Sequence, residues 1–353
     1  MTLNYNTRPG EISAFKYGKR RSLLGRLVIA LFPVKGDSVF ECVRKLIFTV
    51  ALACFLIFGG SAAFDLTNEF VHQTIMSDFT SKVIGNVDIN SDVYKNVTNK
   101  VPEILPEYIN AYHANNDFVG EIKIQNTKNG DYLINLPVYQ TTDNEYYLTH
   151  AFDKSYSKGG AIFADYRNLI KSGNMSPNTV LYGHNMMSGG YFTKLSRYYT
   201  DNDELSFYKA HPLIEFNTIY EKSKYKVFAV GLFNTQEKHG KVYPYNDVLT
   251  FGSKDEFNNF ILDMTDRSVL FTDVDVGYGD YILTLSTCFY PMGEAVDTRV
   301  VVFARKLRKN ESEAIDLNKA VYNHKELRFD EQTRRYGTGW TGRVWDSDRY
   351  LLS

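Results

Sequence analysis

The sequence predicts a mostly β protein, a closed barrel or sandwich of seven or eight strands, with helices before it and a helix in one long connection. Three observations predict it. Seven short apolar runs, at 119–124, 132–139, 161–164, 180–182, 225–233, 281–285 and 300–304, follow one another between turn-rich connections. Aromatic residues make up 15% of the chain, 26 Tyr and 24 Phe among them, and such residues favour pleated, half-buried surfaces. Residues 46–64 form an apolar stretch without a charge, long enough to cross a bilayer, so the β body is read as lying outside a membrane.

The N-terminal 45 residues carry nine Lys/Arg against three Asp/Glu, while the whole chain has a net charge of −1. A basic segment directly before a spanning helix predicts that this end stays in the cytoplasm. Nucleic acid is the competing partner for a basic tail. It ranks low because Lys19-Arg-Arg21 abuts the apolar stretch Leu23–Phe32 rather than a basic fold. That stretch carries Arg26, is too short to span, and reads as lying along the inner leaflet, with Pro33 closing it. Ser61-Ala-Ala63 resembles a cleavage site, but the leader is long and the apolar run exceeds a signal peptide's, so the reading is a retained single-pass anchor.

From Asp65, a plausible cap, Phe70, Val71, Ile75, Met76, Phe79 and Val83 mark one helical face; Ile104, Leu105, Tyr108, Ile109 and Tyr112 mark a second. The strand runs come next, and Asn126-Thr-Lys-Asn-Gly130 supplies a turn between the first two. Between Thr235 and Gly279 a long excursion contains a helix over 254–264, with Phe257, Phe260 and Ile261 inward. Its place directly before the next strand makes it a candidate wall over a site. Past Lys309 the pattern turns polar, yet Tyr322, Phe329, Tyr336, Trp340, Trp345 and Tyr350 argue for a docked extension rather than a free tail. The predicted division is 1–45 cytoplasmic, 46–64 anchor, 65–117 helices, 118–309 barrel and 310–353 extension.

The chemistry centres on Thr284-Leu-Ser-Thr-Cys288, which ends a core strand. Cys54 lies in the apolar segment and Cys42 just before it, so outside the membrane Cys288 has no intramolecular disulfide partner. Arg299 opens the next strand, where a fixed positive charge lowers a thiol's pKa or meets an oxyanion. Tyr182-Gly-His184-Asn-Met ends another strand, and a histidine and a cysteine far apart in sequence can assemble as acid/base and nucleophile. For each residue alone the structural reading, a buried Cys, a turn His or a surface Arg, is the commoner one; three strand ends together outweigh it.

These motifs resemble a sortase, specifically class B. Pro137-Val-Tyr-Gln140, Asp143-Asn-Glu-Tyr-Tyr-Leu148 and Gly160-Ala-Ile-Phe163 fall in the family's order, and the likeness covers about 118–307. The resemblance implies a sortase-like closed barrel and a transpeptidase that cuts a C-terminal sorting signal of secreted surface proteins and joins the new carboxyl end to an amine. It implies Cys288 as nucleophile, His184 as acid and base, and Arg299 on the carbonyl oxygen. It also implies groove contacts at Asn144, Leu148 and Ser286, and an acceptor that is a peptidoglycan precursor amine or a pilin lysine. The chain departs from the family's common pattern at Glu121 and at Phe289, which bears on substrate preference.

No Cys-x-x-Cys or His-Glu-x-x-His occurs, so no catalytic metal and no cofactor is expected. Asp273 and Asp275 on a loop read as a solvated turn before a calcium site. Two other functions remain at this stage: a membrane-anchored cysteine protease, although the papain-like order of Cys before His is reversed here, and a surface binding module with an inert Cys288.

Overall fold

The computed structural model describes residues 22–85, 87–200 and 204–337. Lys19-Arg-Arg21, Trp340, Trp345 and Tyr350 lie outside the described residues. The chain divides into two compact units, Met1–Leu66 and Thr67–Ser353.

A short helix α1 (Leu23–Leu31) precedes α2 (Val39–Val83), whose residues up to Leu66 belong to the first unit. The Thr49 hydroxyl donates to the Leu31 carbonyl, and Lys45 pairs with Asp37 at 2.7 Å, so the α1–α2 corner is tied on both sides. The stretch Val39–Asn68 of α2 is long and apolar enough to cross a membrane. Asp65 does not start a helix: α2 runs unbroken through it, because helix formers flank it and no Pro or turn sequence follows. Phe70 and Val71, expected inward, are exposed, whereas Val83 packs on the core.

In the second unit α3 (Asp92–Lys100) starts at Ser91, whose hydroxyl accepts from the Tyr94 N–H at 3.1 Å. The segment expected as one helix around Ile104–Tyr112 splits at Pro106 into a 3₁₀ turn and α4 (Ile109–Ala114). Strands follow in order: β1 (Phe118–Gln125), β2 (Tyr132–Tyr139), β3 (Ile162–Ala164), the small hairpin β4 (Ile170–Lys171) and β5 (Asn174–Met175), then β6 (Asn178–Tyr182). Helices α5 (Arg197–Thr200) and α6 (Glu204–Ala210) lead to β7 (Leu213–Thr218) and β8 (Lys224–Asn234). Helix α7 (Lys254–Asp266), β9 (Leu270–Phe271), β10 (Ile282–Cys288), β11 (Thr298–Lys306), β12 (Val321–Tyr322) and α8 (Asp330–Tyr336) complete the described residues.

Eight strands close a barrel in the order β1-β2-β3-β6-β10-β11-β8-β7. Each strand found by sequence pattern is present; β7 is the one that pattern missed. Its Leu-Ile-Glu-Phe-Asn-Thr does not alternate, because Asn217 and Thr218 are buried and hydrogen-bonded. The core is aromatic, with Tyr108, Phe118, Tyr139, Tyr147, Phe216 and Tyr225 all inaccessible. Gly160, at φ +56°, packs its α-carbon against the Tyr147 and Leu148 backbone, where a Cβ would stand 2.1 Å from the Tyr147 carbonyl.

The connection before β10 behaves in two ways. Helix α7, capped by Ser253, puts Phe257, Phe260 and Ile261 against Phe228 and Phe303 on the barrel's outer face. Asp273 and Asp275 are engaged by Lys319 at 2.9 Å and Arg308 at 2.6 Å. Beyond β11 the described residues, up to 337, keep contact with the rest of the unit: β12 pairs with β9, and Phe329 packs against Leu232, Met292 and Val296.

Candidate active site

Strand pairing builds the site. β10 lies between β6, parallel to it, and β11, antiparallel to it. The parallel register sets Ser286 beside Tyr182, and the Gly183 N–H donates to the Ser286 carbonyl at 3.3 Å. β6 ends at Tyr182 while β10 runs two residues further to Cys288, so the chain leaving β6 carries His184 alongside the end of β10. The Asn185 amide donates to the Cys288 carbonyl at 2.8 Å and ties these ends. On the other side Cys288 is the cross-strand partner of Arg299. Three residues far apart in the chain thus meet at one barrel rim.

Gly183 is required here for packing. A Cβ would stand 2.4 Å from Ile162 Cδ1 and 2.8 Å from the Phe192 ring, so the core leaves no room for a side chain here.

A cavity of about 450 Å³ opens over this rim. Cys288, His184, Arg299, Asn144, Leu148 and Ser286 all line it. Its far wall is Asn234, Thr235 and the extended stretch Val242–Asn246, not α7, which supplies none of the lining residues. The long connection therefore does wall the site, but through its irregular part; the helix sits outside the barrel. His211 and His239 do not line the cavity: His211 is buried against Phe207, and His239 meets the Ala295 carbonyl.

The His184 Nε2 lies 2.8 Å from the Leu148 carbonyl. A carbonyl only accepts, so Nε2 carries a proton and the neutral ring keeps its lone pair on Nδ1. Arg299 is held by Asp297 through Nη1 and by the Thr298 carbonyl at 3.0 Å, while its Nε has no acceptor among the described residues. Burial works against its charge, but Asp297, Cys288 and Tyr245 together raise its pKa. Burial likewise opposes ionisation of Asp297, yet Arg299 and the Thr235 hydroxyl at 2.6 Å hold its carboxyl below the usual range.

Sequence reasoning missed three members. Tyr290 lies close enough to Cys288 and Asp297 to interact with both; burial and the Cys288 group push its pKa up to about 12. Tyr245, buried and pushed up to about 12, shares a 2.8 Å hydrogen bond with Ser286. Asp297 had a weak signal, the Asp-x-Arg spacing that sets both side chains on one face of a strand.

Asn144 lines the cavity, but its amide donates to Asp165 at 2.9 Å and accepts from the Tyr166 N–H at 3.0 Å. Asp165 is fully buried and also holds Arg167 and the Tyr182 hydroxyl, so Asn144 belongs to a structural network beneath the cavity. Glu121 lies elsewhere, buried among Tyr108, Lys123 and Asn217.

The sortase-domain model matches residues 122–307, more than half of the chain. The chain belongs to the sortase family. Sortase B of Listeria monocytogenes is 31% identical over 239 residues, 68% of this chain and 87% of that protein. A Staphylococcus aureus sortase B–substrate complex is 27% identical, covers 69% of this chain and 99% of its own, and superposes with a TM-score of 0.52. A sortase B complexed with triglycine superposes with a TM-score of 0.51 at 27% identity, over 68% of this chain and 99% of that one. These relatives make it a class B sortase, and hence a cysteine transpeptidase acting on surface proteins. The sortase barrel seen here, with its N-terminal helices, is that family's fold.

Proposed function

We propose that this sortase cleaves a C-terminal sorting signal through a thioester on Cys288 and passes the acyl group to an amine. The observation that carries it is the parallel β6–β10 register, which delivers His184 and Cys288 to one rim with Arg299 across the strand. Cys288 Sγ passes its proton to His184 Nδ1 and, as thiolate, attacks the scissile carbonyl carbon. The carbonyl oxygen gains negative charge and takes a hydrogen bond from the unused Arg299 Nε. Collapse breaks the C–N bond, and His184 gives the proton on Nδ1 to the departing amine, while Nε2 keeps its own on the Leu148 carbonyl. The neutral imidazole then takes a proton from the incoming amine, which attacks the thioester and releases the thiolate. Asn144, Leu148 and Ser286 floor the groove. Asn144 acts through its hold on Asp165, and Leu148 by carbonyl to His184 and side chain to peptide.

The acceptor in this reading is a peptidoglycan precursor amine; the triglycine-bound relative supports a small primary amine in that place. A pilin lysine has the same chemistry. Residues 46–64 are retained as a single anchor, with 1–45 in the cytoplasm and the barrel outside, as the basic N-terminal segment and the apolar stretch of α2 support. The extension from 310 belongs to the outer part.

The test is a peptide-library cleavage assay with and without triglycine. Product carrying the added amine, lost in Cys288→Ala, is expected. Hydrolysis alone at saturating amine would favour the protease reading, and unreduced turnover in a folded Cys288→Ala chain would remove the nucleophile assignment.

A further inference from the structure

The matched domain ends at Leu307, yet the chain beyond it returns to the rim. The loop from Phe289 to Asp297 joins the cysteine to Asp297 and Arg299. It is folded as two successive turns, Gly293 N–H to the Tyr290 carbonyl and Val296 N–H to the Gly293 carbonyl, each 3.0 Å. Its base is closed by the Phe289 N–H on the Thr298 carbonyl at 3.0 Å. Its outer side rests on α8. Arg335 Nη1 donates to the Met292 carbonyl at 2.8 Å, while Arg335 Nε is fixed by Glu331 at 2.6 Å. Phe329, just ahead of α8, packs on buried Met292 and Val296, and Val296 adjoins Asp297.

A second route runs to the cysteine itself. Gln332 donates to the Tyr199 hydroxyl at 2.7 Å, and the Tyr199 ring meets the Phe289 ring edge-on at 6.2 Å, next to Cys288. The helix that makes both contacts is itself anchored. The Leu327 N–H donates to the Asp266 carbonyl at 2.7 Å, the Asn323 amide to the Ser268 carbonyl at 2.8 Å, and Arg328 closes the α8 end by donating to the Tyr336 and Gly337 carbonyls.

We propose that the segment 320–337 is a positioning brace for the active-site loop: through Met292 and Val296 it sets Asp297, and through Asp297 it sets the Arg299 guanidinium beside Cys288. This goes beyond stabilising the barrel, and it rests on Arg299 acting at Cys288. Buried packing transmits small displacements because a close-packed cluster has no slack. Freed of the Arg335 bond, the loop between Phe289 and Asp297 keeps its turns but loses its outer support, and Arg299 follows Asp297.

The test needs no peptide substrate. Cys288 in the full-length protein, in mild detergent, is alkylated with iodoacetate and with iodoacetamide, and the rate ratio reads the positive charge beside the sulfur. Cys288→Ala supplies the background from Cys42 and Cys54. Arg299→Met sets the scale for losing that charge. Arg335→Met, at a half-exposed site, should lower the ratio at least threefold toward the Arg299→Met value, and Arg335→Lys, which keeps a donor for the Met292 carbonyl, should restore most of it. Phe329→Ala should act in the same direction. If Arg299→Met moves the ratio and folded Arg335→Met and Phe329→Ala leave it unchanged, with only the melting temperature reduced, the segment is a stabiliser and the brace is refuted. If Arg299→Met itself leaves the ratio unchanged, the reading of Arg299 fails and the brace falls with it.

Discussion

Glu311→Gln should be among the most destabilising single substitutions outside the aromatic core. The Glu311 carboxylate accepts from both Arg305 Nη atoms, from Lys226 at 2.8 Å and from the Arg308 N–H at 2.8 Å. Arg305 is completely inaccessible, and Lys226 is nearly so. A glutamine removes the charge and turns an N–H₂ toward donors. Breaking a buried pair by removing one partner costs about 3–5 kcal/mol, because the other charge stays buried without compensation. Arg305 keeps the Asp275 carbonyl at 2.8 Å and a long contact to its carboxylate, which places the cost near the lower figure. At ~2–4 °C per kcal/mol for a body of this size, the melting temperature should fall by roughly 6–12 °C. Glu313→Gln is the internal control: its pair with Lys224 is largely exposed and is worth under about 1 kcal/mol. Both are read by near-UV circular dichroism of the full chain in mild detergent. The pH dependence follows from the depressed folded pKa. Arg305 first, and Lys226 with it, hold the Glu311 carboxyl well below its ordinary 4.5 against the effect of burial. Its contribution is therefore complete above about pH 4.5 and is lost as pH falls through and below that value. The gap between wild type and Glu311→Gln should narrow on acidification. Equal melting temperatures for Glu311→Gln and Glu313→Gln at neutral pH would refute the reasoning.

Three further outcomes are expected. His184→Ala should reduce thioester formation by about 10²–10⁴, the range of a lost general acid, while the melting temperature barely changes because among the described residues the ring's one bond is to the Leu148 carbonyl. Arg299→Lys keeps the charge but not the fork; acylation in a stopped-flow thioester assay should fall on the order of 10²–10³ while iodoacetamide alkylation of Cys288 stays within a few-fold. Gly183→Ala should lower the melting temperature through overpacking, about 1–3 kcal/mol, since Ile162 and Phe192 stand in the way of its Cβ.

Local pattern made the barrel legible, because seven of its strands are apolar runs between turn signals. The eighth, Leu213–Thr218, was hidden because its buried Asn217 and Thr218 are satisfied by partners that only the fold supplies. Helix α2 misled at Asp65 for a related reason. A single acidic residue marks a helix start only if the chain breaks before it, and nothing in Ser61-Ala-Ala-Phe-Asp65 breaks it. The long connection was legible as a wall of the cavity and α7 as a helix with an apolar face, but amphipathy does not show which surface that face covers or which part of the connection makes the wall.

The site divides along the same line. Cys288, His184 and Arg299 were legible because each stands at the end of a strand whose apolar run can be seen, and strand ends are where side chains leave the core. Tyr245 and Tyr290 sit in irregular connections, where no periodicity assigns a direction to a side chain, and Asp297 stands one residue ahead of β11 with only its spacing to Arg299 as a signal. Their roles depend on register: Tyr245 matters because its hydroxyl reaches Ser286, and Asp297 because the antiparallel β10–β11 pairing sets Arg299 opposite Cys288. A shift of that pairing by one residue would turn Arg299 to the other face of the sheet, with every motif in the sequence unchanged. What the motifs leave open, the turns and packing of the loop from Phe289 to Asp297 fix, and that loop takes part of its support from a helix beyond the family's matched domain.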